Sequence, residues 1–249
     1  KLLTKLWELV QTDLIYGGGF TFEPDQADRV RREALALIKV AAISIRTYGW
    51  NLVDIRRQIT GSDGRQYTVD LMLYKVGLEI GGGVVNTLSM INFYGCPGGR
   101  CSPEMLDTIE DRIEGELDAL MNNFWHLLRE YNADFGIVGL VILDPTTGIG
   151  DDGLQGIFNQ IQLALIENGD PDNAAIFLIW TDKNGQLWFT CFGKGCDKMT
   201  PSQRKREACR MAGQRPNCKI EEFVVRRLLE AGEEPPPPDD DEGPVEWTP

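Results

Sequence analysis

The chain has 249 residues, with 25 Lys and Arg against 38 Asp and Glu, so its formal net charge is -13. It is 42% hydrophobic, which is enough to build a core and argues against a wholly disordered chain. The acidic balance argues against a dedicated nucleic-acid binder, since such proteins neutralise phosphates with an excess of Lys and Arg. His126 is the one histidine of the sequence, so catalytic triads and His-rich metal sites have little to draw on.

The first part of the chain shows two helical patterns and then β-like segments. Residues 1–12 are weakly amphipathic. A second helix is predicted from Pro24 to about Tyr48, and its later half is apolar on most sides, which suggests a buried helix. A β-hairpin is predicted around the turn at residues 61–64. Residues 84–93 form a further strand candidate.

The clearest helix of the chain begins at Ser102-Pro103, where proline occupies the first helical position. Its apolar residues recur at three- and four-residue steps and share one face. They are Ile109, Ile113, Leu117, Leu120, Phe124, Leu128 and Tyr131. His126 lies on the opposite side and is predicted to face solvent. The continuous apolar run 136–143 predicts a strand covered on both faces.

A helical stripe over residues 154–165 precedes the strongest hairpin signal of the chain. The β-rich runs 174–181 and 186–192 are joined by Asn184-Gly185, the favoured two-residue turn. That turn would pair Trp180 with Phe189, so we expect Trp180 and Trp188 on opposite faces of the sheet. Two further helices are predicted, one from residue 200 to about 213 and one over 220–231.

Strands and helices alternate irregularly along the chain, and the two hairpins are local. This order predicts an α+β fold, with mixed α/β as the alternative: a layered domain with a mixed or antiparallel sheet, two β-hairpins and several packed helices. We expect a compact α+β body at residues 1–196, a basic helical extension at 197–232 and an acidic Pro-rich tail at 233–249.

The six cysteines fall into three close pairs, each across a turn-rich loop. The pairs are Cys96 with Cys101, Cys191 with Cys196, and Cys209 with Cys218. Six cysteines permit about 15 connectivities, and we predict nearest-neighbour disulfides. Free thiols and a metal site are the alternatives, but the Cys-x2-Cys knuckles of structural zinc are missing, and no metal or cofactor is predicted.

Disulfides indicate an oxidising compartment, and we therefore expect a secreted, extracellular protein. No apolar run of the sequence approaches the roughly 20 residues that a membrane span requires, so no membrane span is expected.

Four carboxylates are candidates for a catalytic site. Asp144 follows the predicted strand 136–143, Asp151 and Asp152 lie in the glycine-rich loop after it, and Glu79 stands beside a triple glycine. Loops at strand ends often carry catalytic groups, so these residues suggest a paired-carboxylate hydrolase or a Ca²⁺ site. The alternative is structural: Asp144-Pro forms a turn, and Asp151 or Asp152 caps a helix.

Charge is unevenly distributed along the chain. Residues 194–219 carry eight Lys or Arg against two carboxylates, whereas residues 233–249 carry seven carboxylates and no base. The candidate binding residues are Arg204, Lys205, Arg206, Arg210 and Arg215 of the basic segment and Trp247 of the tail. We expect the tail to fold back on the basic helix or to bind the same patch of a neighbouring copy. The alternative is that both segments are simply solvated.

Together these patterns predict a secreted, disulfide-pinned interaction or structural protein that self-associates or docks through its basic segment and acidic tail. The expected partner is a protein or a second copy of the chain, without nucleic acid, and an enzyme is the less favoured class. The alternatives are a secreted hydrolase that uses the paired carboxylates and a secreted toxin or effector.

Overall fold

The structure, a computed structural model, describes residues 24–61, 64–94, 103–143 and 151–225. At residues 24–34, 103–106 and 151–153 the description concerns the backbone. In this part of the chain four α-helices pack on one seven-stranded mixed sheet. The helices are α1 (Pro24–Tyr48), α2 (Pro103–Glu130), α3 (Asp151–Asn168) and α4 (Pro201–Met211), and a 3-10 helix spans Lys194–Lys198.

The strands follow one another in the sheet in the order in which they occur in the chain. They are β1 (Asn51–Thr60), β2 (Gln66–Ile80), β3 (Gly83–Phe93), β4 (Phe135–Ile142), β5 (Ala174–Thr181), β6 (Leu187–Phe192) and β7 (Ile220–Glu222). The pairs β3–β4, β4–β5 and β6–β7 are parallel, and the other three are antiparallel. The fold is therefore an α+β layered domain with a mixed sheet, as the sequence predicts.

Strand direction explains which face of the sheet each crossover helix covers. Crossovers between parallel strands are right-handed in nearly all proteins. The connections β3–α2–β4 and β4–α3–β5 therefore put α2 and α3 on one face, where they bury a core with Leu88, Val138 and Leu178. The hairpin from β5 to β6 reverses the strand direction, so the crossover β6–α4–β7 puts α4 on the opposite face. There α4 packs beside α1 over Ile91 and Phe177.

Most of the predicted elements are confirmed. The apolar stripe of α2 is buried from Ile109 to Leu128, and His126 is exposed. Every residue of β4 and β5 is buried, which agrees with a strand covered on both faces. Both predicted hairpins are present, and a third joins β2 to β3 through Gly81 and Gly82, both at positive φ.

Two local predictions are wrong. The stretch predicted to be helical from residue 220 begins as strand β7, because Ile220 pairs with Leu187 at the edge of the sheet. Trp180 pairs with Trp188 and not with Phe189, so the two indoles lie on one face. The hairpin loop has three residues and ends at the left-handed Gly185, and this one extra residue shifts the register so that the two tryptophans share a face.

Strand β1 is the other edge of the sheet, and it is irregular. Its pairing with β2 shifts between Leu52 and Asp54, and Arg56 adopts a left-handed φ of 52°. A register shift of this kind is typical of a β-bulge, which bends an edge strand and interrupts its ladder.

The described part of the basic segment belongs to the same sheet and core as the rest of the molecule. β7 pairs with β6, and Met211 of α4 is buried against Gly139 of β4. The predicted division of the chain at residue 196 stays a prediction. Among the residues that the structure describes, none of the helices combines the length and the apolar character that crossing a membrane requires.

The packing of α2 on β4 can be tested at Gly136. A Cβ at this position would collide with the ring of Phe124, a fully buried residue of α2. We expect Gly136→Ala to lower the free energy of unfolding by about 1–3 kcal/mol, the usual cost of overpacking a core. The measurement is the urea midpoint of unfolding.

The control variant is Gly83→Ala, in which the nearest atom to the new Cβ would be the Ile80 carbonyl oxygen at 3.7 Å. Equal midpoints for the two variants would contradict the described packing of α2 on β4.

Candidate functional site: a cationic surface over a buried donor cluster

Helix α4 carries most of the predicted binding residues, and its own sequence fixes both ends. The Thr200 hydroxyl accepts a hydrogen bond from the Gln203 backbone N–H, and the Gln203 side chain accepts one from the Thr200 N–H, which is a capping box. At the other end Gly213 adopts a φ of 64°, and the Gln214 N–H donates to the Cys209 carbonyl oxygen at 2.8 Å. This Schellman motif ends the helix.

Two disulfides fasten the segments on either side of α4. Cys191 of β6 is bonded to Cys196 of the 3-10 helix, with their Cα atoms 5.9 Å apart. Cys209 of α4 is bonded to Cys218 just before β7, with a Cα distance of 5.8 Å. These bonds confirm two of the predicted pairs. Within the described ranges no group of three His, Cys, Asp or Glu residues could hold a metal ion.

Five basic side chains, which we call the cationic surface, belong to α1, to β2, to α4 and to the segment just after α4. They are Lys39, Lys75, Lys205, Arg206 and Arg215. The Arg206 guanidinium lies 5.8 Å from the centroid of the Tyr48 ring, and Lys75 Nζ donates to the Tyr48 carbonyl oxygen at 2.6 Å. The Tyr48 hydroxyl donates at 3.2 Å to the carbonyl of Gln214, the neighbour of Arg215, and Lys39 lies against Gly213.

In the described residues, ion pairs do not offset the charges of the cationic surface. None of its five side chains forms an ion pair with a carboxylate in the described part of the chain. Burial lowers the pKa of Lys75, and the charges of Arg206 and Arg210 lower it further against the opposing effect of Glu207. A positive region therefore persists on a protein whose net charge is -13.

Two of the predicted binding residues hold α4 in place. Arg204 forms an ion pair with Glu222 of β7 at 2.7 Å and donates to the Met199 carbonyl. The prediction that Arg210 contacts a partner needs correction, because its side chain is fully buried. Helical spacing turns Arg210 toward the sheet, where Glu207, three residues earlier, provides its counter-charge at 2.7 Å. Charge alone did not reveal this inward position.

Beneath the cationic surface lies a group that we call the buried donor cluster: Ser44, Trp50, Thr87 and Arg210. Each is at most 1% exposed. The Arg210 guanidinium stacks on the Trp50 ring at 4.1 Å from its centroid. The sequence signal for this cluster is weak: Ser44 interrupts an otherwise apolar helix face, and Thr87 occupies an inward position of β3.

The arginine also connects this cluster to the sheet. Arg210 Nη2 donates to the Ser89 hydroxyl at 2.8 Å, and Thr87 lies two positions before Ser89 on the same face of β3. The backbone N–H of Trp50 donates to the carbonyl oxygen of Ser44 at 3.0 Å. Contacts thus link Ser44, Trp50 and Arg210, and Thr87 is linked to them through Ser89, which lies two positions further along the same face of β3.

Among the predicted carboxylates that the structure describes, Glu79 lies apart from Asp151 and Asp152. Glu79 is exposed at the end of β2, where its carbonyl oxygen accepts from the Gln203 side chain at 3.0 Å. Asp151 and Asp152 begin α3, beyond the carboxyl end of β4. The end of β2 lies level with the start of β4, whereas α3 begins after the end of β4. Glu79 and the first turn of α3 therefore lie at opposite ends of the strands.

Several predicted residues lie outside the described ranges. They are Asp144, the cysteine pair Cys96 and Cys101, and Trp247 of the tail. The pairing of Asp144 with another carboxylate, the third disulfide and the tail's contact therefore stay predictions.

A second polar group, which the sequence did not suggest, lies on the other face of the sheet at the carboxyl end of β3. Glu116 of α2 accepts hydrogen bonds from the Tyr94 hydroxyl and from Asn92 Nδ2, the latter at 3.0 Å. Arg112 completes the group, with its guanidinium 5.3 Å from the Tyr94 ring centroid. The sequence signal for this group consists of Asn92 and Tyr94 at the end of β3 and of Glu116 beside the apolar stripe of α2.

The comparisons with known proteins do not identify a family for this chain. No family model matches the chain, and no curated protein matches it. A solved structure of SfsA from Pyrococcus furiosus in complex with Ca²⁺ matches 64% of this chain and 61% of that chain, at 11% sequence identity and a TM-score of 0.27. The chain thus spans about three fifths of that protein's length, and a likeness this weak carries neither its fold nor its Ca²⁺ to this chain.

The Tyr94–Glu116 contact predicts a pH dependence of stability. Burial, and then the charge of Glu116, raise the pKa of Tyr94 well above its ordinary value of 10.0. The unfolded chain therefore loses the phenol proton first, so this contribution is complete below about pH 10 and is lost as the pH rises toward the folded pKa.

We expect the free energy of unfolding to fall more steeply between about pH 9 and 11 in the wild type than in Tyr94→Phe. The measurement is urea unfolding across that range, with Tyr74→Phe, a half-buried tyrosine of β2, as control. Parallel slopes for the wild type and Tyr94→Phe would rule out the inferred pKa shift.

Proposed function

We propose that this chain is a secreted, disulfide-pinned interaction protein whose cationic surface binds an acidic polypeptide segment. The observation that carries the proposal is the local excess of positive charge around Tyr48 and α4 in a chain of net charge -13. Charge complementarity favours one occupant, the chain's own residues 233–249, which hold seven carboxylates and no base. The tail comes either from a neighbouring copy or from the same molecule.

Rigid support favours binding at this surface. Helix α4 is fixed at its ends by the capping box, the Schellman motif and the Cys209–Cys218 disulfide. The ion pair of Arg204 with Glu222 holds it against β7. Cations presented on a rigid element lose less conformational freedom on binding than cations on a loop.

Electrostatics sets the expected strength of this contact. An exposed ion pair contributes about 0.2–1 kcal/mol, so several must act together to hold the tail. Trp247, near the end of the tail, provides an apolar side chain that adds to the contact. The interaction should weaken with added salt, because exposed charges are screened beyond about 8 Å at physiological ionic strength.

Secretion rests on the two disulfides of the described residues, since such bonds persist mainly in oxidising compartments. The hydrolase alternative would need Asp144 beside a second carboxylate, and the position of Glu79 at the far end of the sheet does not favour it. A toxin or effector role shares the same body and stays a prediction.

Charge reversal on the cationic surface tests the proposed contact. We expect Lys205→Glu combined with Arg215→Glu to weaken binding of a labelled peptide of residues 233–249 by about tenfold, the effect of losing a few exposed ion pairs. The measurement is fluorescence anisotropy at two salt concentrations on a chain that lacks residues 233–249, with sedimentation of the full chain alongside.

The control is Lys183→Glu, which reverses one exposed charge in the β5–β6 turn, outside the cationic surface. If the peptide does not bind, or binds the reversed variant as well as the wild type, and deletion of the tail leaves sedimentation unchanged, the proposed contact is wrong.

The oxidation state of the cysteines tests the compartment. We expect the intact mass of the protein purified from its native source to be unchanged by an alkylating reagent under denaturing conditions, and to gain six alkyl groups after reduction. Immediate labelling of Cys191, Cys196, Cys209 and Cys218 would show that the disulfides do not form in the source, and secretion would lose its support.

A further inference from the structure

Four buried polar atoms near Arg210 have no hydrogen-bond partner among the described residues. They are Ser44 Oγ, Trp50 Nε1, Thr87 Oγ1 and Arg210 Nη1, the potential donors of the buried donor cluster. A fifth such atom, Asn92 Oδ1, lies on the other face of the sheet and is an acceptor. Buried polar groups are nearly always paired, so four in one neighbourhood indicate a ligand that binds there.

The chemistry of the four atoms specifies an acceptor. The Trp50 and Arg210 nitrogens can only donate, and the hydroxyls of Ser44 and Thr87 can donate in any direction that their rotation allows. A metal ion is excluded at such a site, since it would face N–H groups and a guanidinium. The ligand is therefore either a water molecule or an anion.

Local charge favours the anion. Glu207 is the one carboxylate that the structure places against Arg210, and its charge is already matched by that arginine. Lys75, which pairs with Thr87 across β2 and β3, adds a further positive charge. A water molecule would satisfy the donors but would not offset the charge of Lys75, which is half-buried.

Packing limits the size of the ligand. The Trp50 ring and the Arg210 guanidinium are in direct stacking contact, and both side chains are almost wholly excluded from solvent. Just beyond Arg210 on the same face, Met211 packs closely on Gly139. A single-atom anion, little larger than water, suits such surroundings better than a phosphate or a carboxylate.

We propose that the buried donor cluster binds one halide ion, chloride in physiological media, between α1, β3 and α4. The ion accepts hydrogen bonds from Arg210 Nη1 and Trp50 Nε1, with Ser44 and Thr87 completing its shell. The site can be tested apart from the acidic-segment contact, because it is enclosed and, of the cationic surface, only Lys75 contributes to its charge. The two proposals can therefore fail separately.

Bromide, which replaces chloride chemically and scatters X-rays anomalously, is the probe. We expect the thermal midpoint of the full chain to rise with bromide or chloride concentration at constant ionic strength, with gluconate as the balancing anion, since a ligand of the folded state stabilises it by mass action. Crystals grown in bromide should show an anomalous peak within hydrogen-bonding distance of Trp50 Nε1 and Arg210 Nη1.

Conservative variants separate this site from general salt effects. We expect Trp50→Phe and Thr87→Val, which each remove one donor and keep the shape of the side chain, to raise the half-saturating bromide concentration about fivefold, the effect of one lost hydrogen bond. Thr190→Val removes a hydroxyl from a buried threonine on the α2–α3 face and should leave the bromide response unchanged.

A midpoint that depends on ionic strength but not on the identity of the anion, together with no anomalous peak in the cluster, would overturn the proposal in favour of bound water. An equal response of Thr190→Val and Thr87→Val would overturn it as well. Neither result depends on whether the tail binds the cationic surface.

Discussion

The buried guanidinium of Arg210 is the contact on which the arrangement of the α1–α4 face depends. It joins three parts of the chain, since it pairs with Glu207 of α4, donates to Ser89 of β3 and stacks on Trp50 after α1. Removing one partner from a buried ion pair generally costs about 3–5 kcal/mol, because the other charge is left without compensation. The arginine thus fixes both the depth and the rotation of α4, and so the positions of the cations on its outer side.

This contact also links the two proposed sites. Glu207 and Arg210 of α4 face inward, whereas Lys205 and Arg206 of the same helix face outward. Burial of the first two residues therefore sets the positions of the other two. The helix lies on this face because the β5–β6 hairpin reverses the strand direction before the last crossover. The β5–β6 turn therefore decides which side of the sheet carries α4 and its basic side chains.

Much of the fold could be predicted from local patterns. Continuous apolar runs gave β4 and β5, and the three- and four-residue periodicity gave α2, because burial on a strand or a helix face leaves a direct record in the sequence. The register of the β5–β6 hairpin could not be predicted, since Asn184-Gly185 suits a two-residue turn and a three-residue loop ending at Gly185 almost equally well. Only part of the candidate site could be predicted. The charges of α4 are evident in the sequence, but the inward position of Arg210 depends on a partner more than a hundred residues away.

The two edges of the sheet limit how copies of this chain can associate. At one edge the shifted register of β1 and the left-handed Arg56 interrupt the row of backbone groups, and at the other β7 has three residues. Within the described residues, neither edge presents the long, flat ladder on which another strand could add and continue a sheet from one molecule to the next. The contact proposed between the acidic tail and the cationic surface would use side chains instead, and its strength would respond to salt and pH.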